Sequence, residues 1–370
     1  MKIKILFYID TLRGGGAEKV LRTLVNAMDQ NKFDITVQTT FREETENILS
    51  RGIKYKYCYK NKNPLSEIIF RAEAEANLVY PLHIKDDYHI EVAYLEAAST
   101  KIMAGSTNKK AKKLAWVHCD LRKITGGADD FVKKSAQKYK KFHKVIGVSE
   151  NVKESFKELF GNEPESLVIY NTIDDKEILE KSLEVLPADI TKNKFTLLML
   201  GRLMPQKNYP RLLKSARTLL NEGFDFDLWI LGEGEERPEL EKIINENNLN
   251  NNVYLLGFRE NPYPFIIQSD LLVCSSNYEG FSTFVAEGLI LGKPIVTTDC
   301  SGMDELLGEN EFGLITPNDD EAFTDGLRKM LADKDLLNTY TKRAQIRGQQ
   351  FSKDTLVKQT ENFFLNLLNN

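Results

Sequence analysis

Strand-length apolar runs alternate with amphipathic helical segments along almost all of this 370-residue chain, and they do so in two series. The first series is "KILFYID", "FDITVQTT", "IKYKYCY", "IEVAYLEA", "KLAWVHC", "KVIGVS" and "LVIYN"; the second is "FTLLMLG", "FDLWILG", "VYLLGF", "LLVCSS" and "PIVTTD". Strands joined through helices run parallel, so each series predicts a doubly wound α/β sheet. Between them "KSLEVLPADITKNK" loses its periodicity. The pattern predicts two Rossmann-like domains, residues 1–175 and 192–350, joined near Asp174 to Thr191, with a ligand cleft at the carboxyl ends of both sets of strands. The helix after the first strand is expected at about Ala17 to Met28, and the last stretch, 351–370, as a helix crossing back onto the first domain.

The length is about twice that of a typical domain, and 42% hydrophobic with 28% charged residues suffices for two cores. No segment approaches the roughly 18 uninterrupted apolar residues of a spanning helix. The opening "MKIKILFYID" runs straight into a glycine turn and lacks the cleavage site of a secretory signal. Cys58, Cys119, Cys274 and Cys300 have no C-x-x-C spacing, and His83, His89, His118 and His143 form no H-E-x-x-H pattern. A reducing, cytoplasmic setting is expected, with no nucleic-acid partner.

Three glycine turns between strand and helix are candidate anion sites, because such turns gather backbone N–H groups at a helix N-terminus. In "DTLRGGGAEKV", Gly14, Gly15 and Gly16 open the first helix, but Lys19 replaces the last glycine of a dinucleotide fingerprint and "QTT" offers no acid for a ribose. In "ILGEGEERPEL", Gly232 and Gly234 read more simply as a plain turn. The third is "NYEGFSTFVAEGLILGKPIVTTD", with Glu279 in the turn, Ser282 as N-cap and Glu287 about one and a half turns into the helix. Carboxylates repel phosphate, so this pair suits neutral hydroxyls, which sugars supply. Cations for a diphosphate come from "LLMLGRLMPQKNYPRLL", where Arg202 offers a planar fork and Lys207 a mobile point charge.

Together "GGGAEKV", "GRLMPQKN", "LWILGEGEERPELE", "VYLLGFREN" and "EGFSTFVAEGLILGKPIVTT" resemble the retaining glycosyltransferases of family 4, of GT-B fold and bacterial polysaccharide or capsule type, and the match spans most of the chain. The resemblance implies that Glu287 binds the ribose and Glu279 the donor sugar. It also implies that amides of Phe281, Ser282 and Thr283 contact sugar and diphosphate, and that Arg202 and Lys207 neutralise the diphosphate while Gly15 and Gly16 close over it. Phe258 and Arg259 would lie at the base, and His118 in "AWVHCD" beside the reacting carbon. Ser282 and Asn208 stand where the family more often has glycine, which bears on donor choice.

The function implied is transfer of a hexose or N-acetylhexosamine from a UDP-sugar to a glycan or polyprenyl-diphosphate-linked acceptor, with the anomeric configuration kept. No residue is a convincing nucleophile, which favours same-face attack assisted by the leaving phosphate. No metal is expected, since Asp225 and Asp227 in "FDFD" lie before a strand and away from its carboxyl end. A UDP-sugar epimerase of the same fold and a non-catalytic accessory subunit are the alternatives.

Net charge is −4, yet residues 101–144 hold thirteen Lys and Arg against three Asp. In "FVKKSAQKYKKFHK", Val132, Ala136, Tyr139 and Phe142 recur at near-helical spacing beside Lys133, Lys134, Lys140 and Lys141. Such a helix suits an anionic membrane surface, and hence a peripheral place on the inner face of the membrane. A solvated helix packed by its aromatic face is the competing reading.

Overall fold

The computed structural model describes residues 2–13, 15–45, 48–125 and 129–369, with backbone alone at 124–125 and 129–131. The chain divides into two compact units, Met1–Thr172 with Lys353–Asn370, and Ile173–Ser352.

Unit 1 carries strands β1 (Ile3–Ile9), β2 (Phe33–Phe41), β3 (Lys54–Tyr59), β4 (Ile90–Ala93), β5 (Lys112–Val117), β6 (Lys144–Gly147) and β7 (Glu165–Val168). Its helices are α1 (Gly16–Ala27), α2 (Pro64–Glu75), α3 (Val79–His83), α4 (Ala98–Met103), α5 (Leu121–Thr125), α6 (Asp129–Tyr139) and α7 (Glu150–Phe160). The strands form one parallel sheet in the order β3-β2-β1-β4-β5-β6-β7. Central β1 is apolar at every position from Ile5 to Ile9 and wholly buried there, as a parallel strand covered on both faces must be. Ile5 sits opposite Ile35 on one side and Ile90 on the other. The winding therefore reverses between β1 and β4, which puts the ligand-binding crevice of such a sheet at their carboxyl ends.

Unit 2 carries α8 (Asp175–Lys181), β8 (Phe195–Leu200), α9 (Tyr209–Asn221), β9 (Phe226–Leu231), α10 (Arg237–Glu246), β10 (Val253–Gly257), α11 (Tyr263–Gln268) and β11 (Leu271–Cys274). It continues with α12 (Thr283–Ile290), β12 (Ile295–Thr298), α13 (Met303–Leu307), β13 (Leu314–Thr316), α14 (Asp320–Ala332) and α15 (Lys334–Gly348). The parallel order β10-β9-β8-β11-β12-β13 reverses between β8 and β11. In α9 the buried positions Tyr209, Leu212, Leu213, Ala216 and Leu219 keep a 3.6 period and pack in one core with Leu228 and Ile230 of β9.

Three local readings are corrected. The expected junction near Asp174 to Thr191 begins with α8, capped by Asp174 and packed on α11 and α12, and only after Lys181 does the chain run without a helix or strand to β8. The short edge strand β13 had no periodic run to reveal it. Asp227 lies within β9 rather than before it, while Asp225 pairs with Lys194 at 2.7 Å; both mark the amino end of that strand.

The last helix, α16 (Lys353–Asn369), belongs to unit 1. Phe364 is fully buried there, its ring 6.0 Å from Phe7 and 6.4 Å from Phe33. Glu361 accepts the Asp29 N–H at 2.6 Å. Among the described residues no helix is long and apolar enough to cross a membrane.

Candidate active site

At the reversal point of unit 2, the loop after β8 and the loop after β11 are stitched together. The Asn277 N–H donates to Gln206 O at 2.8 Å, Gln206 Nε2 to Tyr278 O at 2.8 Å, and Ser275 Oγ to Lys207 O at 2.9 Å. Buried Arg211 of α9 reinforces the seam, donating to Ser275 O at 3.2 Å and to Asn318 Oδ1 at 2.7 Å. Gly232 and Gly234 make room beside it: a Cβ on Gly232 would lie 1.9 Å from Gly201 O, and one on Gly234 2.1 Å from Leu203 O. What reads as a plain turn in the sequence is a close approach of backbone to the cation loop.

The stitching brings Lys207 Nζ to 2.5 Å from Glu279 Oε1, and Ser276 Oγ donates to the same oxygen at 2.7 Å. Both charged side chains are largely buried, 16% and 8% exposed. Burial by itself lowers the lysine pKa, but the adjacent carboxylate more than offsets it and holds the ammonium above its ordinary value. The expectation that Glu279 meets neutral hydroxyls is thus corrected in part: it accepts one hydroxyl and one cation. Arg202, on the same loop as Lys207, is exposed.

Ser282 caps α12, its Oγ accepting the Val285 N–H at 3.4 Å. Phe281 and Ser282 are buried and Thr283 half-buried at that N-terminus. Glu287 is 3% exposed, too buried for a solvated helix face, and Tyr263 OH donates to its Oε1 at 3.4 Å. Phe258, after β10, is 71% exposed, whereas Arg259 donates to Leu256 O at 3.0 Å and stacks 5.5 Å over the Phe265 ring.

In unit 1 the expected glycines stand where β1 gives way to α1. Gly15 is the N-cap, with no side chain to cap, and Gly16 begins the helix; Gly14 lies outside the described residues. His118 follows β5, its ring 4.9 Å from that of Tyr94. Glu96 Oε2 accepts the His118 backbone N–H at 3.0 Å and Oε1 accepts Cys119 Sγ at 2.9 Å. Burial pushes the His118 pKa down to about 4, against the opposing pull of Glu96. The neutral imidazole has a buried Nε2 with no partner among the described residues. Asp10, after β1, is half-buried and accepts from Ser99 Oγ at 3.3 Å; desolvation raises its pKa.

The basic segment differs from its sequence reading. Helix α6 ends at Tyr139, and Lys140 and Lys141 lie beyond it. Tyr139 and Phe142 are buried, Tyr139 standing 5.0 Å from both Phe156 and Phe160 of α7. The aromatic face is spent on protein packing, while Lys133, Lys134, Lys140 and Lys141 are exposed.

Residues 180–347 match the sequence model of the family described as glycosyl transferases group 1. A Campylobacter jejuni protein, N-acetylgalactosamine-N,N'-diacetylbacillosaminyl-diphospho-undecaprenol 4-alpha-N-acetylgalactosaminyltransferase, is 29% identical over 375 residues, covering 98% of this chain and 99% of its own. An Escherichia coli protein, UDP-Gal:alpha-D-GlcNAc-diphosphoundecaprenol alpha-1,3-galactosyltransferase, is 28% identical over 288 residues, 72% of either chain. Among solved structures, Anabaena HepE in complex with UDP-glucose superposes with a TM-score of 0.77 at 20% identity over 98% of this chain and all of that one. The chain is a glycosyltransferase of GT-B fold.

Sequence reasoning passed over several residues that this glycosyltransferase gathers at its strand ends. Asp10 and Glu96 close the runs "FYID" and "AYLEA", and an acid just past a buried parallel strand is the signal that would have found them. Ser276 touches Glu279 locally, three residues away in the loop after β11, whereas Tyr263 reaches Glu287 through the tertiary fold alone. Among the described residues no cluster of three or more His, Cys, Asp or Glu could hold a metal ion.

Proposed function

We propose that this glycosyltransferase belongs to the retaining enzymes of family 4 and moves a hexose or N-acetylhexosamine from a UDP-sugar to a polyprenyl-diphosphate-linked acceptor in cell-surface polysaccharide synthesis. The observation that carries the reading is the buried Lys207–Glu279 pair at the reversal point of unit 2, with Glu287 on the helix that follows. The two relatives support the acceptor class, since both are named for undecaprenol-diphosphate-linked sugars. Both are also named for α linkages, and an α product from an α-linked nucleotide-sugar keeps its configuration.

In this reading Glu287 holds the ribose and Phe258 and Arg259 the base. Glu279 takes a donor-sugar hydroxyl, and the amides of Phe281, Ser282 and Thr283 reach sugar and diphosphate. As the sugar–phosphate bond breaks, negative charge builds on the leaving diphosphate, and Arg202 and Lys207 stabilise it most when it is most developed. Gly15 and Gly16, where β1 gives way to α1, let backbone approach an anion. The acceptor hydroxyl attacks the face the diphosphate leaves and gives its proton to a phosphate oxygen, so no protein nucleophile is needed. Neutral His118 offers its unpartnered Nε2 to a sugar hydroxyl. The cations of the protein replace a metal ion, and the exposed lysines of the 133–141 segment hold the enzyme at the anionic inner face of the membrane.

The test screens UDP-sugars for thermal stabilisation and slow hydrolysis, with and without EDTA, then follows the released sugar by NMR. An α anomer released first, in EDTA, is the expected result. A first-formed β anomer overturns retention, and activity lost to EDTA overturns metal independence.

A further inference from the structure

His118 is held by one short segment of the neighbouring strand. Strand β4 pairs with β5 in the register Ala93 to Ala115, and just past its end Tyr94 lays a fully buried ring 4.9 Å from the imidazole. Two residues on, the Glu96 carboxylate grips the main chain: Oε2 accepts the His118 N–H at 3.0 Å and Oε1 accepts the Cys119 thiol at 2.9 Å. Neither bond goes to the ring. The imidazole is therefore fixed at its root and along one face, while its buried Nε2 keeps its hydrogen-bonding capacity, with no partner among the described residues. Glu96 acts on the ring charge as well, opposing the burial that depresses the His118 pKa.

The carboxylate is aimed by strained backbone. Ala97, which follows Glu96 and precedes α4, has φ 59° and ψ −106°, outside the regions open to a residue with a Cβ. Such strain persists only where the surroundings over-determine it, and it gathers where a functional side chain must be directed. The surroundings here do so: Thr100 Oγ1 donates to Leu95 O at 2.9 Å, the Lys101 N–H to Ala97 O at 3.0 Å, and Ser99 Oγ to Asp10 Oδ1 at 3.3 Å. These bonds tie the turn to α4 and to the end of β1. An N–H at a parallel strand end ordinarily takes a carbonyl of the next strand. At His118 the chain leaves that ladder and supplies a charged acceptor instead, which binds roughly twice as strongly.

We infer that Glu96 is a positioning residue of the transfer reaction: through its bonds to the His118 N–H and the Cys119 thiol it sets where the imidazole meets the donor sugar. The inference rests on the role of His118 in the preceding reading. Glu96 acts through His118 and touches no reacting atom itself. Cys119 belongs to the same device, because its thiol holds the second carboxylate oxygen and so stops the first from turning away from the His118 N–H.

The experiment joins ring NMR to kinetics on the full-length protein. With isotopically labelled histidine, the His118 ring resonance is assigned by its absence in His118→Ala and recorded in the parent, Glu96→Gln, Cys119→Ala and Cys119→Ser. Donor hydrolysis is measured on the same preparations with the UDP-sugar that the screen selects. A glutamine turns its amide N–H toward one of the two donors and loses that bond, so Glu96→Gln should move the resonance and lower kcat roughly tenfold at a nearly unchanged KM. Cys119→Ala should do the same in part, and Cys119→Ser, which restores a donor, should regain what it loses. Glu96→Gln combined with His118→Ala should be no slower than His118→Ala alone, since one acts through the other. Thermal melts identify a variant that unfolds, and the two Cys119 variants decide if Glu96→Gln does. An unmoved resonance in Glu96→Gln, or losses that add in the double variant, overturns the inference. Glu96→Gln as fast as the parent while His118→Ala is slow overturns it and leaves the functional reading standing. His118→Ala as fast as the parent removes the imidazole from that reading and the positioning role with it. A protein that turns over no UDP-sugar loses the functional reading, and the ring resonance then decides by itself whether Glu96 sets the imidazole.

Discussion

Lys207 and Glu279, 72 residues apart in sequence, close a largely buried ion pair at 2.5 Å. The pair keeps a cation charged inside a largely buried loop junction. On the proposed reading, a donor diphosphate draws the ammonium partly from its carboxylate.

Removing one partner strands the other. Lys207→Met leaves a buried, uncompensated carboxylate, which should cost about 3–5 kcal/mol of stability and lower turnover on the order of a hundredfold or more. Lys207→Met with Glu279→Met should regain most of the stability and none of the activity. Exposed Arg202 should separate the two effects, Arg202→Ala losing a similar factor in turnover at nearly unchanged stability. Urea midpoints and steady-state rates on the same preparations check both; full activity in Lys207→Met and Arg202→Ala removes the clamp.

Both parallel sheets were legible because buried parallel strands write themselves as unbroken apolar runs. Glu279, Arg202 and Lys207 could be singled out as residues because each sits in a loop that follows such a run, and Glu287 because it lies on the helix that opens after one. Their pairing could not, because it depends on β8 and β11 being neighbours, and strand order leaves no local trace. The same holds for Glu96 beneath His118 and for Tyr263 on Glu287. On α6 and just beyond it the spacing of Val132, Ala136, Tyr139 and Phe142 reads as an apolar face, but periodicity does not say whether protein or lipid covers a face. Phe156 and Phe160 cover part of it.

The exposed lysines have a separable part. Replacing Lys133, Lys134, Lys140 and Lys141 by Gln should weaken association with anionic vesicles, at about 1 kcal/mol per charge near the surface, and leave donor hydrolysis in solution intact. Since Tyr139 and Phe142 are buried, the attraction should be largely Coulombic and fade with added salt. Flotation with phosphatidylglycerol vesicles over a salt series measures it, and unchanged binding favours a solvated segment.

Neutral His118 makes folding sensitive to acid. Its pKa in the fold is depressed to about 4, so below the ordinary histidine range the unfolded chain takes up a proton that the native one refuses. The stability it contributes is complete above about pH 6.5 and drains as pH falls toward 4. Between pH 7 and pH 5 the loss should be about 2 kcal/mol, and His118→Asn should lack that part of the decline. Parallel unfolding curves at the two pH values test this; an identical decline in parent and variant would show that the imidazole titrates freely.

The two acids of the Glu-x7-Glu pair should fail in different ways. Glu287 is buried on α12 with the Tyr263 hydroxyl, whereas Glu279 is tied to Lys207 and Ser276. Ribose contacts act equally in ground and transition states, so Glu287→Gln should mainly weaken binding, including that of bare UDP. Sugar contacts tighten as the bond breaks, so Glu279→Gln should depress turnover. The ion pair adds a sign: with Glu279 neutral, Lys207 is released to the diphosphate, and UDP should bind the Glu279→Gln variant at least as well as the parent. Calorimetric titration of both variants with UDP, paired with steady-state transfer rates, measures the split. If both lose UDP affinity equally, the carboxylates share one task and the division of labour is wrong.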